Sequence, residues 1–281
     1  MNRLHFFEAI ERKVDFQKEY IKLEELCSKE YYGSYLSNGI SINTWIEDNF
    51  WSWKKRSNYT SFKELRNQLE FSINDKNGNT SLMLQSVDIN KYLLFCEMMY
   101  NLISDLFDKR NPGLDNVISA FFNTVRATLV KIGMETKTVD SEIIIVEKNA
   151  VAIEVAEIQP NLADIVIEYN HYLLKGNLDR KKEILKKLAD ALEPQKKILK
   201  EINKRVEDDF FYLVNSMNIR HNNSDPEDAA HYNHKFTIMT DSEKEIWYDL
   251  IYEQGLALFV YLEQKKRNNI IDEYKHAVCN N

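Results

Sequence analysis

QKKILKEINKRVEDDFFYLVNSMNI, residues 195–219, is the stretch that most directly predicts the fold class. Its apolar residues recur every three or four positions, from Ile198 and Leu199 through Val206 to Val214. This spacing places apolar side chains along one face of an α-helix. The stretch therefore predicts an amphipathic helix of about six turns.

Helical spacing continues on both sides of this stretch. Glycine and proline together contribute only 11 of the 281 residues, about 4% where ~12% is usual. Because turns and hairpins depend on these residues, all-β and glycine-rich parallel α/β folds are disfavoured. Thr240 and Glu243 have the spacing of a capping box before the last helix. We predict a mainly α protein of helical bundles, with further helices over about 4–28, 42–56, 61–72, 87–107, 114–132, 162–173, 184–192 and 240–262.

Residues 142–156 interrupt the helical pattern. Residues 142–146 are rich in isoleucine and valine, residues 147–149 are typical of a turn, and apolar residues alternate from 151 to 155. This pattern predicts one short β-hairpin. A strand that leads into a helix is an equal alternative, because 150–158 also fits helical spacing.

Length, charge and cysteine usage limit the class of protein. The chain is long enough for two domains, which we predict at 1–138 and 139–281. The net charge of −7 means that any polyanion must bind to a local basic patch. Cys27, Cys96 and Cys279 are far apart and lack metal-ligand spacing. With no long apolar run and no apolar leader, we expect a cytoplasmic protein that does not enter a membrane.

The segment NSMNIRHNNSD, residues 215–225, holds the densest group of polar side chains. It contains four asparagines next to Arg220 and His221. Cleavage of RNA without a metal needs a base for the 2′-hydroxyl, a cation for the phosphate and donors that hold the scissile bond. The segment contains all three types of group, whereas glycine-rich phosphate loops, zinc-protease motifs and serine-hydrolase elbows are absent from the sequence.

The same segment also has an ordinary structural interpretation. Asparagine tolerates the left-handed conformation that often ends a helix, and Arg220 and His221 would complement the negative end of the helix dipole. Four asparagines are more than one cap uses. The sequence therefore leaves both a helix cap and a functional site open.

The tract from IVIEYNHY, residues 165–172, through LEP, residues 192–194, to NIRHNN, residues 218–223, resembles the HEPN-type helical domains of bacterial abortive-infection proteins. The resemblance covers about the last 120 residues. It implies a helical bundle that dimerises, in which an Arg-x(4–6)-His motif from each subunit forms a metal-independent ribonuclease cleft. It also implies a role in phage defence, with RNA as the partner.

The resemblance assigns Arg220 to the arginine of the motif. The closing histidine of the motif would lie within residues 225–227, which are Asp, Pro and Glu in this chain. The next histidines are His231 and His234. Three assignments stay open: His231 substitutes through a longer loop, His221 itself is the working imidazole, or the site binds RNA without cutting it.

We therefore predict Arg220 and His221 as catalytic residues, with Arg220 steadying the phosphate and His221 acting as general base or acid. Residues 175–205 carry eleven basic and five acidic side chains, a local charge of +6 that either contacts phosphates or forms a solvated helix face. No cofactor and no metal is expected. The predicted substrate-binding residues are Asn215, Asn218, Asn222, Asn223, Lys197 and Lys204.

A non-enzymatic protein is the alternative function. In this interpretation the same polar segment recognises a protein partner or senses a phage component. The acidic net charge fits this alternative slightly better than RNA binding. Cleavage of RNA in the presence of EDTA would distinguish the two.

Two further patterns have ordinary structural explanations. His231 and His234 lie near aspartates in a ligand-like arrangement, but a polar loop explains them without zinc. Trp45, Trp51 and their aromatic neighbours precede the basic residues 54–56 and could stack bases. Helical spacing favours a place in the core for Trp45 and Phe50 instead, since large aromatic side chains dominate packing.

Overall fold

The computed structural model of the protein describes residues 14–32, 39–71, 73–74, 80–81 and 86–279. The chain divides into two compact units, Met1–Ile145 and Val146–Asn281. Both are mainly α-helical, so the fold class predicted from the sequence is confirmed. Within the described ranges no helix combines the length and the apolar character needed to cross a membrane.

The first unit is built from amphipathic helices and a two-residue ladder. The expected first helix, 4–28, is described from Phe16 onward, where the Asp15 carboxylate caps it, and its earlier part lies outside the described residues. The strands Ile73–Asn74 (β1) and Thr80–Ser81 (β2) pair antiparallel. The helices are α1 (Phe16–Ser28), α2 (Ile42–Asn49), α3 (Phe62–Gln68), α4 (Ile89–Asp105) and α5 (Asp115–Lys131), with 3₁₀ turns at Phe50–Ser52, Phe107–Lys109 and Pro112–Leu114.

The core of the first unit is aromatic. Trp45 is fully buried, as its helical spacing predicted, and its indole N–H donates to the carbonyl of Lys109. The Phe95 ring lies 4.9 Å from that of Tyr20 in an edge-to-face arrangement, which is a favoured geometry for aromatic pairs. Arg66 is completely buried and binds Glu24 at 2.6 Å.

The β-hairpin lies earlier in the chain than its predicted position. Met134–Val139 (β3) pairs with Glu142–Glu147 (β4). Asp140 and Ser141 make the turn with positive φ angles of 49° and 66°, as a type I′ hairpin turn requires. Residues 150–158, where the hairpin prediction put its second strand, form a helix. The open alternative, a strand that leads into a helix, is therefore the correct description of 142–158.

The second unit is a bundle in which the last helix packs against three others. Leu185, Leu188, Val214, Ile251 and Phe259 are almost completely buried at the centre of this bundle. The helices are α6 (Ala150–Ile158), α7 (Ala163–Tyr169), α8 (Leu178–Leu192), α9 (Lys196–Ser216), α10 (His234–Thr237) and α11 (Asp241–Cys279), with 3₁₀ turns at Pro160–Leu162, Tyr172–Leu174 and Glu193–Gln195.

Helix α9 is bent back on itself, so the prediction of one continuous six-turn helix is wrong. Asn203 has non-helical angles, φ −153° and ψ 87°, and its side chain accepts a hydrogen bond from the backbone N–H of Val206. This bond caps a new helical segment and competes with continuation of the first. The ammonium of Lys196 consequently lies 4.2 Å from the ring centroid of Phe211, whereas fifteen residues of straight helix would span about 22 Å.

Candidate functional site

The candidate site is the loop 217–233, which begins where α9 ends. Asn218 adopts the left-handed conformation, with φ 59°. The backbone N–H of Arg220 donates to the carbonyl of Val214 at 3.2 Å, which closes the helix end. Asn218 therefore acts as a helix cap, as the structural interpretation of this segment predicted.

Asn223 fixes the loop from inside. Its side chain is 2% exposed and accepts a hydrogen bond from the backbone N–H of Asn218 at 2.6 Å. Its amide group donates to the carbonyl of His231. The side chain of Asn218 in turn accepts from the backbone N–H of Asn223 at 3.1 Å. These two predicted substrate-binding residues thus hold the loop together, while Asn215 and Asn222 are exposed.

Asn233 is a structural residue that the sequence analysis missed. Its side-chain amide donates to the carbonyl of Ser216 at 2.8 Å, and its oxygen accepts from the backbone N–H of Phe236. One side chain thus connects the last turn of α9 with the first turn of α10. An asparagine directly before a short helix is a recognisable capping signal, but nothing in the sequence relates it to Ser216.

Arg220 binds two carboxylates at the end of α8. Its guanidinium lies 2.5 Å from the Glu193 carboxylate and 3.3 Å from that of Asp190. The side chain is 18% exposed and lies over the ring of Phe211 at 5.6 Å. Partial burial acts to raise the pKa of Glu193, but the hydrogen bond and the charge of Arg220 outweigh it and hold that pKa below its usual value. Arg220 therefore anchors the loop to α8.

His221 and His231 form the most distinctive feature of the loop. Their imidazole rings stack with centroids 4.0 Å apart and planes 18° apart. Nδ1 of His231 lies 2.9 Å from the carboxylate of Asp228. The hydrogen bond with His231 holds the pKa of Asp228 below its usual value, although slight burial acts in the opposite direction. The structure thus brings together two imidazoles and a carboxylate that orients one of them.

The predicted lysines lie on α9, on either side of its bend. Lys197 and Lys204 are exposed, and neither makes an ion pair with a described residue. Lys200, between them, lies 3.3 Å from Asp208. Several other cations of 175–205 form ion pairs within the protein. Arg180 binds two glutamates, and Lys181 binds Glu245 and Asp249.

The geometry of His234 differs from that of the stacked pair. Its ring faces the hydroxyl of Tyr232 at a distance of 3.4 Å and is exposed. In the part of the chain that the structure describes, no three His, Cys, Asp or Glu side chains are grouped so that they could hold a metal ion.

The tryptophan cluster of the first unit separates into buried and exposed members. Trp51 is 67% exposed, and the guanidinium of Arg56 lies 4.3 Å from its ring centroid. The indole N–H of Trp53 donates to Asp105 at 2.8 Å. Base stacking at Trp51 stays a hypothesis, since its exposed face is already covered in part by an arginine.

No protein-family model matches the chain, and no curated protein or solved structure matches it significantly. The resemblance to HEPN-type domains therefore stays a prediction that rests on the sequence tract and the polar loop.

Proposed function

We propose that this protein binds RNA and cleaves it without a metal ion at the loop that carries His221 and His231. The observation that supports this function is the stacked imidazole pair, with Asp228 hydrogen-bonded to the second ring. Two imidazoles with different environments are suited to supply both the base and the acid that cleavage of an RNA phosphodiester needs.

In the proposed reaction His221 accepts the proton of the ribose 2′-hydroxyl. The 2′-oxygen attacks the phosphorus, and the bond from phosphorus to the 5′-oxygen breaks. His231 gives its proton to that oxygen, so the products are a 2′,3′-cyclic phosphate and a 5′-hydroxyl. The roles follow from Asp228, because a carboxylate on Nδ1 stabilises a protonated ring and leaves the other nitrogen of that ring for the substrate.

The rings lie 4.0 Å apart, so both can reach one phosphodiester group. The Asp228 carboxylate is hydrogen-bonded to His231, and this difference in partners supports unequal roles for the two rings. The sequence analysis left the working histidine open, and the proposal uses both His221 and His231.

Arg220 has a positioning role in this proposal. Its two carboxylate partners occupy the guanidinium, so it holds the loop on α8 rather than contacting the phosphate. The exposed cations Lys197 and Lys204 remain the proposed contacts for the RNA backbone. Their contribution would decrease as the salt concentration increases. Phage defence and a homodimer are proposed from the resemblance alone.

The test is cleavage of a labelled RNA by the purified chain in EDTA. His221→Ala and His231→Ala are each expected to lose at least ~100-fold in rate. His234→Ala is the matched control, because it removes an exposed histidine that lies outside the stacked pair. It should change the rate less than twofold. Circular dichroism checks that each variant is folded. Intact RNA with the wild-type chain, or unchanged cleavage by His231→Ala, would refute the proposal.

A non-enzymatic interaction protein is the second candidate. The observation that favours it is Arg220, whose guanidinium is already paired with Asp190 and Glu193 as in a structural clamp. In this case the loop would present its exposed polar groups to a protein partner. RNA that remains intact at every protein concentration, together with wild-type partner binding by His221→Ala, would support this second function.

A further inference from the structure

A cleft of about 670 Å³ lies beside the candidate loop in the second unit. Its walls are the first turn of α8, the first turns of α11, and the loop residues Asn218 and Ser224. His221 lies between these two loop residues in the chain. The cleft is within the size range of small-ligand sites and could take a terminal nucleotide.

Three lysines line the cleft. They are Lys175, Lys182 and Lys244, and the carboxylates of Asp179 and Asp241 lie on the same walls. Lys244 lies 3.3 Å from Asp241. The cations outnumber the anions, so the lining has a net positive charge that favours an anionic ligand.

The ammonium group of Lys182 has no carboxylate partner. It makes no ion pair with any described residue, and burial lowers the pKa of its ammonium. Asp179 acts in the opposite direction, whereas the like charge of Lys186 lowers the pKa further. An anion in the cleft would supply the negative charge that this ammonium lacks.

Tyr248 provides an independent indication of a ligand. The residue is 2% exposed and lines the cleft, yet its hydroxyl has no hydrogen-bond partner among the described residues. Burial, and to a smaller extent the charge of Asp179, raises the pKa of this hydroxyl to about 12, so it is a donor at neutral pH. The hydroxyl opens to the cleft, where a ligand oxygen would accept its hydrogen bond.

The start of α8 adds a favourable field. The helix begins at Leu178 after the cap Asn177, and the positive end of its dipole lies at the cleft. The Lys182 ammonium, which has no ion-pair partner among the described residues, the Tyr248 hydroxyl and the helix terminus together suit a dianionic group better than a singly charged one. A phosphate monoester has this charge, whereas a phosphodiester within a strand carries one negative charge.

We infer that this cleft binds the terminal phosphate monoester of an RNA strand and so selects 5′-phosphorylated RNA. The inference rests on the proposed function, because it names the class of RNA that the neighbouring histidine loop would act on. RNA is the favoured source of the monoester, since Asn218 and Ser224 join the cleft to the loop of His221. A small phosphorylated molecule is the other source and is distinguished by the test.

The test measures the affinity of a ten-nucleotide RNA labelled at its 3′ end, with and without a 5′ phosphate, by fluorescence anisotropy. The His221→Ala chain is used, so that the RNA stays intact. We expect the 5′-phosphorylated strand to bind at least ten times more tightly. Lys182→Gln, Lys244→Gln and Tyr248→Phe should each reduce this preference at least threefold. Lys187→Gln, which removes an exposed lysine of α8 outside the cleft, should leave it unchanged.

Equal affinities for the two strands, or a preference that persists in all three cleft variants, would overturn the inference. Ribose 5-phosphate is the competitor that tests the source. Binding of this sugar phosphate as tight as that of the phosphorylated strand would also overturn the assignment to RNA. Tyr248→Phe removes only an oxygen atom, so it keeps the test decisive if a lysine variant fails to fold. A measured preference without any cleavage by the wild-type chain would contradict only the proposed function, and cleavage without a preference would contradict only this inference.

Discussion

The rings of His221 and His231 stack at 4.0 Å although ten positions separate the residues in the chain. The side chain of Asn223 holds the two ends of this loop together. It donates to the carbonyl of His231 and accepts from the backbone N–H of Asn218. The imidazole pair is therefore a product of the hydrogen bonds inside the loop. Changes that release the loop should separate the rings.

The first prediction concerns the orientation of His231 by Asp228. Asp228→Asn should lower the cleavage rate at least ~10-fold, because the neutral amide no longer stabilises the protonated ring. Asp225→Asn, a change in the same loop away from His231, is the control. An unchanged cleavage rate in Asp228→Asn would contradict the assigned roles.

The second prediction concerns the stability of the loop. Asn223→Ala should lower the free energy of unfolding by about 1–3 kcal/mol, because it leaves a partly buried backbone N–H and a carbonyl without partners. Urea denaturation measures this change. Asn222→Ala alters an exposed neighbour and should stay within about 0.5 kcal/mol of the wild type. Equal stabilities of the two variants would show that the buried bonds do not hold the loop.

The third prediction concerns the pH dependence of the Arg220 clamp. The pKa of Glu193 is lower in the folded protein than in the unfolded chain. The ion pair of Glu193 with Arg220 therefore stabilises the protein fully above the unfolded-state pKa, and this contribution is lost as the pH falls through the folded-state pKa. Arg220→Ala should therefore be less stable than the wild type at pH 7. The difference should shrink towards pH 3.

Urea denaturation at several pH values tests the clamp. Both carboxylates are partly exposed, so we expect a difference at pH 7 of no more than about 1 kcal/mol. Lys197→Ala removes an exposed cation that has no described ion-pair partner and is the matched control. A difference between Arg220→Ala and the wild type that stays constant from pH 7 to pH 3 would exclude the clamp as its cause.

The fourth prediction concerns Glu207, a buried carboxylate just after the bend of α9. Its side chain is 1% exposed, and both carboxylate oxygens lack a hydrogen-bond partner in the described structure. Burial raises its pKa, and Asp208 adds to this, although Lys200 acts in the opposite direction. Because folding raises this pKa, the stabilisation that comes from the protonated carboxyl is fully present below the pKa of the unfolded chain. It is lost as the pH rises through the pKa of the folded protein.

Glu207→Gln should therefore be more stable than the wild type at pH 7, by about 1 kcal/mol. The two proteins should approach equal stability near pH 4, where the wild-type carboxyl is protonated. Thermal unfolding at the two pH values measures the effect. Asp209→Gln alters an exposed carboxylate of the same helix and serves for comparison. A Glu207→Gln chain that is less stable at pH 7 would show that the ionised carboxylate is favourable where it lies.

Local patterns in the sequence predicted most helices because apolar periodicity and capping residues act over only a few positions. Thr240 and Glu243 form the predicted reciprocal cap, with the backbone N–H of Thr240 donating to the Glu243 carboxylate at 2.8 Å. The hairpin was predicted too late in the chain because Asp140 and Ser141 make its turn without glycine. A turn that non-glycine residues form with positive φ gives a weak sequence signal.

Contacts between distant residues could not be predicted in the same way. The sequence shows Arg220 beside His221, but the structure directs Arg220 to Asp190 and Glu193 and places His221 against His231. The bend at Asn203 was missed for a related reason. A helical apolar pattern continues through it, and only the side-chain bond to Val206 interrupts the backbone.

The bend in α9 also decides which residues can influence the histidine loop. Because the helix doubles back, Lys196 and Arg220 rest on the same ring, that of Phe211, although 24 positions separate them in the chain. If α9 were straight, these two cations would lie near opposite ends of the helix. Phe211 therefore joins the first turn of α9 to the residue that precedes His221, and a substitution of this one ring would alter the surroundings of both cations.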